Sequence, residues 1–95
     1  MIAVLPLVSK DEMINEALKI KERLSSSGYF VLFDEKGYIG KRYARLDEAG
    51  IPRAITVDGQ TLIDGTVTVR DRDTWKQERV RVEDLLLQAP VGPGV

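Results

Sequence analysis

Apolar positions change their spacing several times along the chain, and each change marks a predicted element. Residues 2–8 form a continuous apolar run of strand length, which is typical of a strand covered on both faces. A capping box at residues 9–12 then opens a helix whose apolar stripe extends over residues 13–24, and Gly28 is expected to end it. Residues 29–33 give a second buried strand.

The second half of the chain continues this alternation of strand and helix and then changes to an alternating strand pattern. A βαβαβ order predicts two right-handed crossovers and parallel strands, whereas period-two alternation on both sides of a charged turn predicts an antiparallel hairpin. The fold class is therefore α/β, with three parallel strands, a hairpin and three helices in one domain over residues 1–88. Residues 89–95 are expected to form a flexible tail. The remaining predicted elements are helix 38–49, strand 51–57, hairpin strands 66–70 and 78–82, and helix 83–88.

The composition favours a binding module over most other classes of protein. Ninety-five residues allow one domain and one core. The lack of cysteine removes disulfides and favours the cytoplasm, and the lack of histidine removes the commonest general base and metal ligand. No apolar run is long enough to span a membrane, and no credible acid–base pair is evident. Because the net charge is −1, a nucleic-acid partner requires a local cationic patch.

Three cations cluster at the start of the second predicted helix. Lys41, Arg42 and Arg45 lie within one and a half turns, opposite the predicted apolar stripe and near backbone N–H groups that also favour anions. The cluster could contact phosphate or RNA. A solvated helix face, with Arg45 paired to Asp47 or Glu48, is the favoured interpretation when the helix is taken alone.

Polar side chains also collect where the third strand ends, at Thr56 and Asp58. Ligands of open sheets bind outside the carboxyl ends of parallel strands, and a carboxylate there can accept a hydrogen bond from an exocyclic amine such as cytosine N4. An alternative of equal weight is that Asp58 caps the turn before Gly59.

The first hairpin strand ends in the charged segment 70–73, Arg-Asp-Arg-Asp, and is expected to place cations and carboxylates at the same end of the sheet as the third strand. Arginine planes can stack on unpaired bases, although a self-paired charge cluster is favoured without further context. Trp75 could be a stacking platform, but a lid over the edge of the core is the more common role. Strand alternation places four side chains on one face: Thr66, Thr68, Arg70 and Arg72.

Five segments together resemble one known family. They are residues 3–7 (Ala-Val-Leu-Pro-Leu), 39–45 (Ile-Gly-Lys-Arg-Tyr-Ala-Arg), 47–50 (Asp-Glu-Ala-Gly), 54–58 (Ala-Ile-Thr-Val-Asp) and 66–73 (Thr-Val-Thr-Val-Arg-Asp-Arg-Asp). With them, the chain resembles the C-terminal anticodon-binding domain of class IIa aminoacyl-tRNA synthetases over about residues 2–88. The resemblance is strongest to that domain of the archaeal and eukaryotic type of glycyl-tRNA synthetase.

The resemblance implies a five-stranded mixed sheet flanked by three helices that reads the anticodon loop of glycine tRNA, whose second and third anticodon bases are cytosines. It implies tRNA and the catalytic domain of the parent synthetase as partners, with no cofactor and no catalytic residue in this domain. One departure is Gly59, where the family commonly has an aromatic residue. The positions that match the family's tRNA contacts are Lys41, Arg42, Thr56, Asp58, Arg70, Arg72 and Asp73.

A second interpretation is a stand-alone paralogue that kept the fold as a protein-interaction or accessory domain without reading tRNA. The loss of the aromatic residue at Gly59 and the acidic pI favour this alternative. Under either interpretation we expect the isolated chain to fold as a monomer. The apolar side chains expected in its core are Val4, Leu18, Val31, Ala54, Ile55 and Val80.

Overall fold

The computed structural model describes residues 1–35 and 39–87, which form five strands and four helices. The strands are β1 (Ile2–Pro6), β2 (Val31–Phe33), β3 (Arg53–Val57), β4 (Thr66–Asp71) and β5 (Gln77–Arg81). The helices are α1 (Asp11–Ser26), α2 (Ile39–Ala49), α3 (Gly59–Asp64) and α4 (Val82–Leu87). Within these ranges no helix is long and apolar enough to cross a membrane.

The strands form one mixed sheet in the order β2-β1-β3-β4-β5. β1 pairs in parallel with both β2 and β3, whereas β4 pairs antiparallel with β3 and β5. This topology confirms the predicted α/β class with three parallel strands and a hairpin. The predicted number of three helices is wrong, because the described residues contain a fourth, α3.

Helix α3 was not predicted because it is short and begins at a glycine. Asp58 precedes it in an extended conformation, and its carboxylate accepts a hydrogen bond from the backbone N–H of Thr61. The Thr61 hydroxyl accepts in return from the N–H of Asp58, which completes a capping box. Asp58 therefore caps a helix, rather than only a turn before Gly59.

A glycine lies just beyond the end of each of the two long helices. Gly28 and Gly50 have φ angles of 103° and 76°, a region that favours glycine. After α1, the N–H groups of Gly28 and Tyr29 bond to carbonyls of the last turn, and the residues after α2 do the same. At the other end of α1, the predicted capping box is wrong: the N-cap is Lys10, and it makes no side-chain cap.

Apolar side chains pack on both faces of the sheet. The larger cluster lies under α1 and α4 and includes Ile20, Leu24 and Ile55. The smaller cluster lies under α2 and draws its buried residues from β1, α2, β3 and the segment before β3. The hairpin strands β4 and β5 contribute no residue to this second cluster, so α2 covers only part of its face.

The expected core residues are mostly found inside. Val4, Ala54 and Ile55 are buried, and Val31 and Val80 are partly buried against the larger cluster. Leu18 is the wrong prediction, since 40% of it is exposed on the outer side of α1. The predicted tail, residues 89–95, lies outside the described residues.

Candidate nucleic-acid interface

On the face of the sheet that α2 partly covers, strands β3, β4 and β5 carry polar side chains at paired positions. The register pairs Thr56 with Thr68 and Thr68 with Arg79, so these three side chains share a face with Ala54, which packs under α2. We call this surface the open face. It comprises Thr56 of β3, Thr66, Thr68 and Arg70 of β4, and Gln77, Arg79 and Arg81 of β5.

Asp58 and Arg79 form an ion pair at one end of the open face. The Nη2 of Arg79 lies 2.5 Å from Oδ2 of Asp58, and its Nη1 donates to the Thr66 hydroxyl at 3.0 Å. Burial opposes ionisation of Asp58 and is the largest single influence, but hydrogen bonds from Arg79 and Thr61 outweigh it and lower the pKa of the carboxyl. Asp58 therefore combines a helix cap with a fixed acceptor beside a guanidinium.

Arg70 is enclosed at the other end of the open face. Its guanidinium carbon lies 4.6 Å from the ring centroid of Tyr43 and 4.6 Å from that of Trp75. Its Nη1 donates to Asp47 on α2 at 3.2 Å, and only 7% of the residue is exposed. The paired, buried guanidinium offers little surface to a ligand and instead holds two aromatic rings in place.

Thr56 lies at the boundary between the open face and α2. Its hydroxyl shares a 2.6 Å hydrogen bond with the phenol of Tyr43, and the residue is buried. This bond fixes the Tyr43 ring, which in turn packs on Arg70.

Arg42 does not lie on a solvated helix face, which corrects the sequence-based prediction. Only 2% of it is exposed, and its guanidinium donates to the carbonyls of Pro6, Leu7 and Asp34. Burial lowers the pKa of Arg42 below its ordinary value. These carbonyls lie at the end of β1 and just after β1 and β2, so Arg42 fixes the carboxyl ends of two parallel strands.

Lys41 lies toward the opposite side of α2 from the open face. It is exposed and stands one turn before Arg45, which pairs with Asp34 after β2 at 2.7 Å rather than with Asp47 or Glu48. Tyr43 and Asp47 instead reach toward β3 and β4. The three cations of α2 therefore lie in three different environments: Arg42 is buried, Arg45 is paired with Asp34, and Lys41 is exposed.

Arg72 and Asp73 lie far from Asp58, so the prediction of one charged strand end is wrong. Since β4 runs antiparallel to β3, its end faces the start of β3, and the N–H of Arg72 bonds to the carbonyl of Pro52. Arg72 is six positions along the chain from Thr66, which lies in the row of Asp58, and this spacing corresponds to about 20 Å of extended strand. Arg72 lies beside Gly50 at the C-terminus of α2, where a cation is favourable, and Asp73 is exposed.

The described residues contain no group of three carboxylate, histidine or cysteine side chains arranged to hold a metal ion.

A family model described as "Anticodon binding domain" matches residues 1–87. The chain belongs to this family. The glycine–tRNA ligase of Methanothermobacter thermautotrophicus is 53% identical over 85 residues, and that of Pyrococcus abyssi is 52% identical over 84 residues. These matches cover 90% and 88% of the chain but 15% of each ligase. The predicted resemblance to the glycyl-tRNA synthetase domain is thereby confirmed.

Solved structures agree with this family at the level of the fold. The RNA-binding domain of threonyl-tRNA synthetase from Cryptosporidium parvum has a TM-score of 0.84 at 22% identity, and the match covers 93% of this chain and 22% of that one. Prolyl-tRNA synthetase of the same organism has a TM-score of 0.84 at 18% identity, with 94% and 20% covered.

Sequence reasoning missed several members of this anticodon-binding domain's open face. Gln77, Arg79 and Arg81 alternate with Glu78 and Val80, so the period-two rule applied to β4 would also have found them on β5. Only the pairing between β3, β4 and β5 shows that Arg79 reaches Asp58 across an intervening strand.

Proposed function

We propose that this chain binds the anticodon loop of glycine tRNA through its open face. The observation that carries the proposal is half of a sheet face that no helix of the described residues covers, lined by hydroxyls, an amide and guanidinium groups, in a domain of the anticodon-binding family. Bases of a loop are unpaired, so their edges can meet such a surface directly. The identity of about half the residues to glycine–tRNA ligases supports glycine tRNA as the partner.

The pair of Asp58 and Arg79 suits the edge of a cytosine. Cytosine presents the N4 amine as donor, followed by N3 and O2 as acceptors. A carboxylate beside a guanidinium offers an acceptor followed by donors, which is the order that guanine presents to cytosine in a base pair. Uracil has an acceptor at O4 and a donor at N3, so it opposes both groups. We therefore assign this pair to one of the two anticodon cytosines.

The other predicted contacts take different parts in this proposal. Thr56 borders the open face, and Arg70 orients the aromatic rings around it. Lys41, Arg72 and Asp73 lie away from Asp58, so we assign Lys41 and Arg72 to phosphates and Asp73 to the base of another nucleotide. Arg42 acts through the strand ends that it holds.

Amino acid attachment is not assigned to this chain. It spans about a seventh of the length of the ligases that it matches, and we propose that it serves as the tRNA-reading module beside a catalytic domain. No cofactor is needed for such recognition, because hydrogen bonds, stacking and charge supply it.

The proposal is tested with four anticodon stem-loops that carry CC, UC, CU or UU at the second and third anticodon positions. Wild type should favour CC, because each good bidentate contact discriminates by roughly 1–3 kcal/mol. Arg79→Lys keeps the charge but loses the fork of donors, so it should lose the preference for C over U at one position. The matched control is Arg23→Lys in α1, which should leave all four affinities unchanged.

The salt dependence of binding measures the contribution of phosphate contacts, which is distinct from the recognition of anticodon bases. With about three to five cations near phosphates, a slope of about −2 to −4 is expected in a plot of log affinity against log salt. Lys41→Ala should weaken all four stem-loops by one common factor. Equal wild-type affinity for all four would contradict anticodon reading and favour the accessory, protein-interaction alternative.

A further inference from the structure

We propose that Trp75 is a stacking platform for one unpaired base of the bound loop, outside the cytosine pair. The inference rests on the proposed function and adds to it a residue that the predicted contact set does not contain. It depends on the unusual placement of this side chain at the turn between β4 and β5.

Trp75 does not cover the core. It belongs to neither apolar cluster, and 66% of it is exposed. One of its π faces lies against the guanidinium of Arg70, which also contacts the ring of Tyr43. The lid interpretation is therefore wrong, and the indole is the exposed member of a cluster in which Arg70 contacts two aromatic rings.

The backbone at Trp75 holds the ring in this position. Its φ angle of 60° is the only positive value at a non-glycine residue in the described ranges, and a bulky residue rarely adopts it. The N–H of Trp75 bonds to the carbonyl of Asp71, and the side chain of Asp71 accepts from the N–H groups of Asp73 and Thr74. These bonds fix the backbone that carries the indole, and the contact with Arg70 holds the ring, so less entropy is lost when a base stacks on it.

The position of this cluster fits a nucleotide strand that crosses the open face. Arg70 lies two residues along β4 from Thr68, which pairs with Arg79. The backbone of Arg70 is therefore about 7 Å from that row along the strand, and about 14 Å from the row of Asp58 and Thr66. A single base cannot contact both ends, so the base on Trp75 differs from the one read by Asp58.

Stacking depends on the RNA sequence less strictly than hydrogen bonding to the edge of a base does. Every base has a π face, so a platform accepts any base while requiring that one be present. We therefore expect substitutions at the stacked position to be tolerated, and its removal to be costly. The cation–π contact with Arg70 holds the indole at the surface, where a base can reach it.

Intrinsic fluorescence gives the first test, because Trp75 is the single tryptophan of the chain. Titration with the CC stem-loop should quench its emission, since a stacked base quenches indole fluorescence. Stem-loops with an abasic nucleotide at one loop position at a time should all quench except one, which identifies the stacked base. Unchanged emission with every bound stem-loop would overturn the inference.

Binding of labelled stem-loops to two matched variants gives the second test. Trp75→Leu keeps an apolar side chain at the strained position but has no π face, and should weaken binding roughly 5- to 150-fold. Trp75→Phe should recover most of this loss. Trp75→Leu should not weaken the stem-loop that lacks the stacked base any further, because the contact is already absent there.

The outcomes separate this inference from the proposed function. If Trp75→Leu binds like wild type while the preference for CC persists, the stacking role is wrong and anticodon reading stands. Equal losses with Leu and Phe would assign Trp75 a structural role and also overturn stacking. If wild type shows no preference among CC, UC, CU and UU, the function itself is contradicted.

Discussion

Arg79 reaches across the width of β4 to bind Asp58, with 2.5 Å between Nη2 and Oδ2. The contact links the hairpin to the end of β3, and the same carboxylate caps α3. One side chain therefore joins three elements at the point where we place cytosine recognition. The interactions within this pair have consequences for stability as well as for binding.

The first prediction concerns pH. The pKa of Asp58 is lower in the folded chain than in the unfolded one, so ionisation stabilises the fold above about pH 4 and this contribution disappears as pH falls through the folded pKa. Asp58→Asn should keep the helix cap, because an amide oxygen also accepts from the N–H of Thr61. Urea unfolding from about pH 7 to pH 2 should show wild type more stable at neutral pH, with the difference shrinking in acid.

The comparison with the variant is necessary because other carboxylates titrate in the same range. Hydrogen bonds from Thr66 lower the pKa of Asp64, and those from the backbone of Thr74 and Asp73 lower the pKa of Asp71. Both remain in Asp58→Asn, so the difference between the two curves isolates Asp58. A difference that is constant with pH would show that its charge does not stabilise the fold.

The second prediction concerns the hydrogen bond between Tyr43 and Thr56. Tyr43→Phe and Thr56→Val should each cost about 1 kcal/mol in the free energy of unfolding, because each removes one partner of a part-buried bond. The double variant should cost less than the sum, by about 0.5–1.5 kcal/mol. Additive losses would mean that the two hydroxyls stabilise the fold independently, contrary to the 2.6 Å contact.

The sequence predicted the sheet well because each strand has a local signal and a right-handed crossover restricts the connections. It failed where a charged side chain occupies an apolar position. Arg42 stands on the stripe that Ile39 and Leu46 define, but its charge suggested the solvated face. Backbone carbonyls at the ends of β1 and β2 satisfy that charge, and only the assembled fold reveals them.

The candidate site was harder to predict because its parts come from strands of opposite direction. Asp58 and Arg72 both follow strand residues, but antiparallel pairing of β3 with β4 sends the two strand ends in opposite directions. Arg79 meets Asp58 only through the register of three strands. A residue-by-residue reading has no access to this register, so it grouped residues by charge instead of by position.

The third prediction uses two leucines of α1. Leu24 is fully buried in the larger cluster, whereas Leu18 lies on the exposed side. Leu24→Ala should lower the free energy of unfolding by about 2–5 kcal/mol, because it leaves a cavity. Leu18→Ala should cost well under half as much, since solvent already reaches the side chain. Equal losses in urea unfolding would indicate that Leu18 is buried in solution.

The last prediction compares Arg42 with its neighbour Lys41. Arg42→Ala removes a buried guanidinium that donates to three backbone carbonyls, so it should lower the free energy of unfolding by about 2–4 kcal/mol. Arg42→Lys restores the charge but not the fork of donors, and should recover only part of this loss. Lys41→Ala, on the exposed side of α2, should change stability by less than about 0.5 kcal/mol.

For RNA affinity we expect the opposite ranking: the substitution at Lys41 should have the larger direct effect, and the substitution at Arg42 the smaller one. Lys41→Ala should weaken stem-loop binding without unfolding the chain, whereas Arg42→Lys should affect binding only through the loss of folded protein. Measurement of affinity at a temperature where both variants remain fully folded separates the two effects. If Arg42→Ala is as stable as wild type and binds RNA less tightly, its guanidinium contacts RNA directly and the role in holding β1 and β2 is wrong.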